Sequence, residues 1–358
     1  MKLKTIFILL ILSSCYISDE VAPDQEIWDY ELPGKNGLSE NILLGLDNSI
    51  KVGAFQEIHG MIIIKNDHLI FENYYFGRKR SSIQNIGNAG LTFTLAAVGV
   101  AEDKRILSLN DSIADYLPEY AYVFTADPNK QAITIEHLLT HKSGFSWNES
   151  IQPFSLTNDL NVMKTTDDWV RYILEQPMEA PAGLRTNLNT GSGVLLAKII
   201  EAAAGQSFDQ FLLENILNPL TIATCSIDTD PAGNFNGGDG ISVSLLDWTK
   251  LGYLYLSEGI WQNRKIIDPN FVLDAASIQT EVSGLYNLGY IWQFFGEDLS
   301  GYFGIPHDEF YYIPGELGQH IYIIPSENMI VSIFAENYFA GFFNPSLNLF
   351  TEITNSFQ

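Results

Sequence analysis

Apolar residues along the chain cluster in two periodicities. "HGMIIIKNDHLIFENYYFG" (59–77) reads as two apolar, β-branched-rich runs meeting at Asn66-Asp67, which predicts a hairpin. In "SSIQNIGNAGLTFTLAAVGVAEDKR" (81–105) the spacing becomes helical, and Asn88 is the predicted N-cap. Gly87 and Gly90 bracket that start, where glycine weakens a helix. The "GNAG" turn therefore asks for an explanation. From 106 to about 280 the pattern is mainly helical. "ITIEHLLTHKSG" predicts a short helix capped by Thr134 and stopped by Gly144. "GSGVLLAKIIEAAAGQSFDQFLLENIL" predicts two helices, the first ending at Gly205, the second opening with a Ser207-to-Gln210 capping box. Strands return in "GQHIYIIPSENMIVSIFAENY", a hairpin around Ser326 to Asn328, and "NPSLNLFTEITNSF" closes the chain as a helix. A strand pair at each end with helices between predicts one sheet assembled from both ends, an α/β (α+β) fold.

Composition narrows the function classes. The 358 residues are 46% apolar and only 17% charged, enough to bury a sizeable core. A net charge of −24 with no basic stripe excludes nucleic acid as a partner and argues against adhesion to anionic lipid by charge. The first residues supply a separate signal. "MKLK" is basic, "TIFILLIL" is apolar but too short to span a bilayer, and "LSSC" ends the run. Leu12-Ser13-Ser14-Cys15 resembles the lipobox of bacterial lipoproteins, which implies cleavage before Cys15 and its acylation. The alternative is an ordinary cleaved signal peptide with a chance cysteine. The "SDE" that follows resembles an acidic surface-export tag. The expected location is the bacterial cell envelope, lipid-anchored to the outer membrane, periplasmic or surface-exposed. Residues 15–36 are acidic and broken by Pro and Gly, as suits a tether. The only other cysteine, Cys225, is then a small buried hydrophobe.

Several long segments carry a family resemblance: "LSLNDSIADYLPEY", "ITIEHLLTHKSGFSW", "TNLNTGSGVLLAKIIEAAAGQSF", "GISVSLLDWTKLGYLYLSEGIW" and "GELGQHIYIIP". Together they resemble the β-lactamase-related serine hydrolases, which include penicillin-binding-protein-like peptidases, class C β-lactamases and assorted esterases. The resemblance implies a β-lactamase/transpeptidase-like fold over 37–358. Its α/β part would be 37–105 and about 281–358, an antiparallel sheet flanked by helices. Its mainly helical part would be about 106–280. It implies no cofactor. The family chemistry uses Ser-x-x-Lys at a helix start, where one turn of spacing brings hydroxyl and amine together. It also uses a proton-shuttling tyrosine and a strand segment that supplies an oxyanion-hole N–H.

Aligned through Thr94, Gly99, Asp103 and "LSLND", the serine position is Asn88 and the lysine position is Leu91. A one-residue slip in either direction restores neither, no lysine in the chain has a serine three residues before it, and no Gly-x-Ser-x-Gly elbow is present. Ser81 and Ser82 read as loop residues. Leu188 stands where one branch of the family has tyrosine, and Leu317 stands where glycine or histidine is usual. If these positions converge as the family fold implies, the cleft floor becomes apolar. Losing such a cooperating set removes on the order of a millionfold in rate.

Other residues offer rival chemistry. His137 and His141 have metal-capable spacing but no third ligand, so a structural role is expected. His320 reads as a strand residue rather than a base. Tyr312 of "FYYIPG", together with Trp147 and Trp292, could line or lid the cleft, and Asn189 and Gln319 could orient a bound amide or sugar. Three functions follow. The first is a pseudoenzyme that binds a small molecule, peptide or glycan in the former cleft and reaches the membrane through a lipid anchor. The second is a hydrolase of esters or amides that uses an unrecognised arrangement. The third is a structural surface module with a filled cleft.

Overall fold

A computed structural model describes residues 13–17, 27–149, 155, 157–303, 310–337 and 345–357. Its centre is an eight-stranded antiparallel sheet. In spatial order the strands are His68–Tyr74, Ile58–Lys65, Met329–Ala335, His320–Ile324, Tyr311–Pro314, Gln293–Phe295, Tyr286–Leu288 and Thr280–Glu281. Both expected hairpins form. Asn66 and Asp67 turn the first with φ of 51° and 64°, and Asn328 turns the second with φ of 43°. The sheet is assembled from both ends, since Ile58–Lys65 pairs in antiparallel register with Met329–Ala335.

Both faces of that central pair are covered, which is why Ile58–Lys65 reads as a nearly unbroken apolar run and is buried throughout. Along the strand, Ile62 and Ile64 face the larger core, while Met61 and Ile63 face a second core. Helices Glu40–Lys51 and Pro345–Thr354 supply Leu43, Ile50, Leu349 and Phe350 to the second core. The larger core holds the helices Leu91–Asp103, Ser192–Ala204 and Leu245–Leu256. Every residue from Leu91 to Ala101 is buried, so this helix is enclosed on all sides. Its polar threonines are both satisfied: Thr92 Oγ1 donates locally to the Ala89 carbonyl (2.7 Å), and Thr94 Oγ1 to the carbonyl of the distant Gly237 (2.6 Å).

Four sequence expectations need correction. The stretch 106–280 is not helical alone: in a smaller sheet Ile241–Ser244 pairs with Ile83–Asn85 on one side and Cys225–Thr229 on the other, and the backbone of 13–17 joins beyond Cys225–Thr229. The tether does not extend to residue 36. Glu31 N donates to the Leu69 carbonyl (3.0 Å), and Trp28 is buried edge-on against Tyr253 and Trp261. The Ser207 capping box does not form, because the Ser207 hydroxyl turns to Asp209 instead. The helix opened by Thr134 ends at Leu139, before Gly144, and its capping box is completed by His137. As expected, Gly205 ends the helix Ser192–Ala204 in the left-handed conformation, and Cys225 is buried. Of the expected signal segment 1–14, residues 1–12 lie outside the described residues, and so does the side chain of Cys15.

Candidate functional site

The "GNAG" turn is a separate 3-10 turn, Gly87–Gly90, and the α-helix begins only at Leu91. Asn88 is therefore not the N-cap. The two glycines answer to contacts made by the turn. Gly87 has φ +58°, and a Cβ there would lie 3.2 Å from the Glu316 nitrogen. At Gly90 a Cβ would stand 2.6 Å from the Gly238 carbonyl oxygen, closer than atoms tolerate. Glycine lets this turn lie against two other backbone segments. Asn85 fixes its entry, accepting from Gly87 N through Oδ1 (2.7 Å) while its Nδ2 donates to the Asp239 carbonyl (2.9 Å).

A cleft of about 340 Å³ opens beside the turn. Asn88 lines it, and the shielded side-chain oxygen of Asn88 has no hydrogen-bond partner among the described residues. Trp147, Leu160, Leu188 and Val282 form its apolar wall. Glu149, Asn158, Asn187, Thr190, Tyr286 and Glu316 add polar groups. The expected apolar floor is thus corrected. Leu91 is packed into the main core at 4% exposure, and Leu317 is absent from the lining. Glu316, its neighbour in the turn between Pro314 and His320, lines the cleft instead. Leu188 alone of the three leucines reaches the cleft.

Two carboxylates that sequence reasoning passed over dominate the electrostatics. Glu149 Oε1 accepts from Trp147 Nε1 (2.7 Å) and Thr190 N (2.8 Å), and Oε2 accepts from Thr190 Oγ1 (2.8 Å). Burial outweighs these three donors and, with the charge of Asp239, pushes the Glu149 carboxyl up to about 7. Burial and Asp239 also raise Glu316, against the opposing pull of Lys164. Lys164 itself is ion-paired with the buried Asp239, whose Oδ1 accepts from Asn236 Nδ2 (2.7 Å).

The remaining sequence candidates occupy structural positions, Trp147 excepted. Trp147 lines the cleft and orients Glu149. Tyr312 lies on the other side of the sheet, in the second core, stacked on Tyr322 at 5.6 Å and 17°. Its neighbour Tyr311 points to the larger core instead, packing against Trp292. Trp292 is fully buried between Tyr255 and Tyr311, away from the opening. Gln319 ties backbone together, accepting from Leu317 N (3.0 Å) and donating to the Asn85 carbonyl (3.2 Å). Asn189 is 1% exposed, and its Oδ1 accepts from Ser192 N (3.2 Å) at the helix start. His141 Nδ1 accepts from Asn189 N (3.4 Å), and burial lowers His141 to about 4. His320 stacks on Tyr322 at 5.3 Å and 4°, inside the protein. Among the described residues no group of three or more His, Cys, Asp or Glu side chains could hold a metal ion.

This arrangement matches a known family. The family model described as Beta-lactamase covers residues 56–343. The chain belongs to the beta-lactamase family. Over 180 residues it is 29% identical to a penicillin-binding protein of Bacillus subtilis (strain 168), covering 47% of this chain and 38% of that protein. Over 193 residues it is 26% identical to a beta-lactamase of Yersinia enterocolitica, covering 52% of this chain and 44% of the other. The chain thus spans less than half the length of the curated relatives it matches. A class C beta-lactamase structure from Rhodobacter sphaeroides superposes with a TM-score of 0.64 at 16% identity, covering 88% of this chain and 99% of that one. That likeness establishes the beta-lactamase fold of this family member, an antiparallel sheet with helices on both faces.

Proposed function

We propose that this beta-lactamase family member binds a ligand in its cleft without acyl-transfer chemistry, and does so as a lipid-anchored protein of the bacterial envelope. One observation carries the reading. At the head of the buried helix a carboxamide, Asn88, faces the cleft, while Leu91 one turn on is packed into the core. A carboxamide is not an acyl-transfer nucleophile, and an isobutyl group accepts no proton. Without the cooperating pair, rate falls by on the order of a millionfold. The cleft is nonetheless open and polar, which favours binding over a filled structural module. The "LSSC" segment supports the anchor, and incorporation of an alkyne fatty acid that disappears in Cys15→Ala tests it.

A second reading has one observation in its favour: the Thr190 hydroxyl donates to Glu149 at 2.8 Å, as a nucleophile donates to its base. Against it, Thr190 is 5% exposed and Glu149 already serves two further donors. Labelling with a fluorophosphonate and a fluorescent penicillin separates the two readings. The binding reading expects no covalent adduct on the folded protein. A labelled band, or ester turnover abolished by Thr190→Val, refutes it and establishes the hydrolase.

A further inference from the structure

The two cleft carboxylates differ in what they hold. Glu149 accepts three hydrogen bonds, whereas Glu316 accepts none among the described residues. The nearby cation, Lys164, is ion-paired with Asp239, and Glu316 has no ion-pair partner among the described residues. Glu316 also abuts the turn that carries Asn88, as the 3.2 Å and 3.3 Å separations of a Gly87 Cβ from Glu316 N and Cβ show. On that same turn Asn88 Oδ1 is shielded from solvent and lacks a donor. A charged acceptor, Glu316, thus faces the cleft with no donor on it among the described residues, while the shielded Asn88 Oδ1 lies out of a ligand's reach. The surrounding field has the same sign, because among the described residues Glu316, Asp239 and Asp228 are opposed by one cation, Lys164.

We infer that the cleft receives a ligand ending in an ammonium group, held by the Glu316 carboxylate, with an aliphatic stem along Trp147 and Leu188. This deepens the binding reading above and rests on it. An ammonium supplies N–H donors to that carboxylate and opposes the local charge. A carboxylate or phosphate would meet like charge at Glu316, which disfavours it. The 340 Å³ volume suits a small amine or a single lysine side chain of a peptide.

Three probes that share one backbone test the inference: N-acetyl-lysine amide, N-acetyl-norleucine amide and N-acetyl-glutamate amide. Calorimetric titration of the full-length protein should rank lysine first and glutamate last. Glu316→Gln should weaken the lysine probe about tenfold and leave norleucine within about twofold. Glu316→Lys should reverse the order of lysine and glutamate, which guards against a general loss of fold. Raising salt from about 50 mM to about 500 mM should weaken lysine binding alone. Equal or tighter binding of glutamate, no measurable lysine binding, or indifference of lysine affinity to Glu316→Gln would each overturn the inference. Preferential binding of norleucine or glutamate would leave the cleft a binding site and remove only the ammonium. A fluorophosphonate adduct would remove the parent reading.

Discussion

Glu149→Gln should make the protein more stable at alkaline pH and leave it nearly unchanged in mild acid. The reasoning starts from the Glu149 carboxyl, raised from its ordinary 4.5 to about 7 chiefly by burial. The native state holds this proton more tightly than the unfolded chain does. Stability from the protonated form is therefore complete below the unfolded value and is lost as pH rises towards and through the folded one. Over that window the loss approaches about 3 kcal/mol, at roughly 1.4 kcal/mol for each tenfold in proton affinity. Glutamine keeps an oxygen for Trp147 Nε1 and Thr190 N, and its amide can donate to the Thr190 hydroxyl, so the three contacts survive without a charge. Guanidinium unfolding of wild type and variant at about pH 5 and about pH 8 gives the double difference, in which contributions from other carboxylates cancel. The expected gain of the variant on going to the higher pH is about 2 to 3 kcal/mol. Parallel stability curves for the two proteins would refute the account of Glu149 as a carboxyl kept neutral by its surroundings.

Two further substitutions test the packing. Gly90→Ala improves helix propensity yet places a methyl 2.6 Å from the Gly238 carbonyl, so thermal or urea unfolding should show a net loss of about 1–3 kcal/mol. Trp28→Ala removes a ring packed on Tyr253 and Trp261 and should cost about 3 kcal/mol or more in urea unfolding, where a residue in a free tether would cost less than about 0.5.

Local chemistry made the hairpins legible. Asn66, Asp67 and Asn328 tolerate the left-handed turn conformation, and the apolar runs beside them have nowhere to go but a covered sheet. The strands at the far edge, Thr280–Glu281, Tyr286–Leu288 and Gln293–Phe295, are two or three residues long, too short for alternation to show. Tyr312 was placed on the wrong face because alternation relates neighbours to each other, while the choice of face comes from pairing with His320–Ile324. Ser207 failed as a cap because Asp209 competes for its hydroxyl. At the site, Asn88, Leu188 and Trp147 were found from sequence and do line one cleft. Glu149 was not, since its partner Thr190 is 41 positions away and only folding joins them. Glu316 sat one residue from the position chosen.

The sheet stitches the beginning of the domain to its end. Lys65 and Glu327, 262 positions apart in the chain, are ion-paired at the turn where the central strands meet. A ribosome must therefore make the chain through residue 335 before Ile58–Lys65 can pair fully with Met329–Ala335, and loop closure over that separation makes the step slow. Until then the hairpin 58–74 keeps one adhesive flank open, and a chain cut short before residue 329 keeps it permanently.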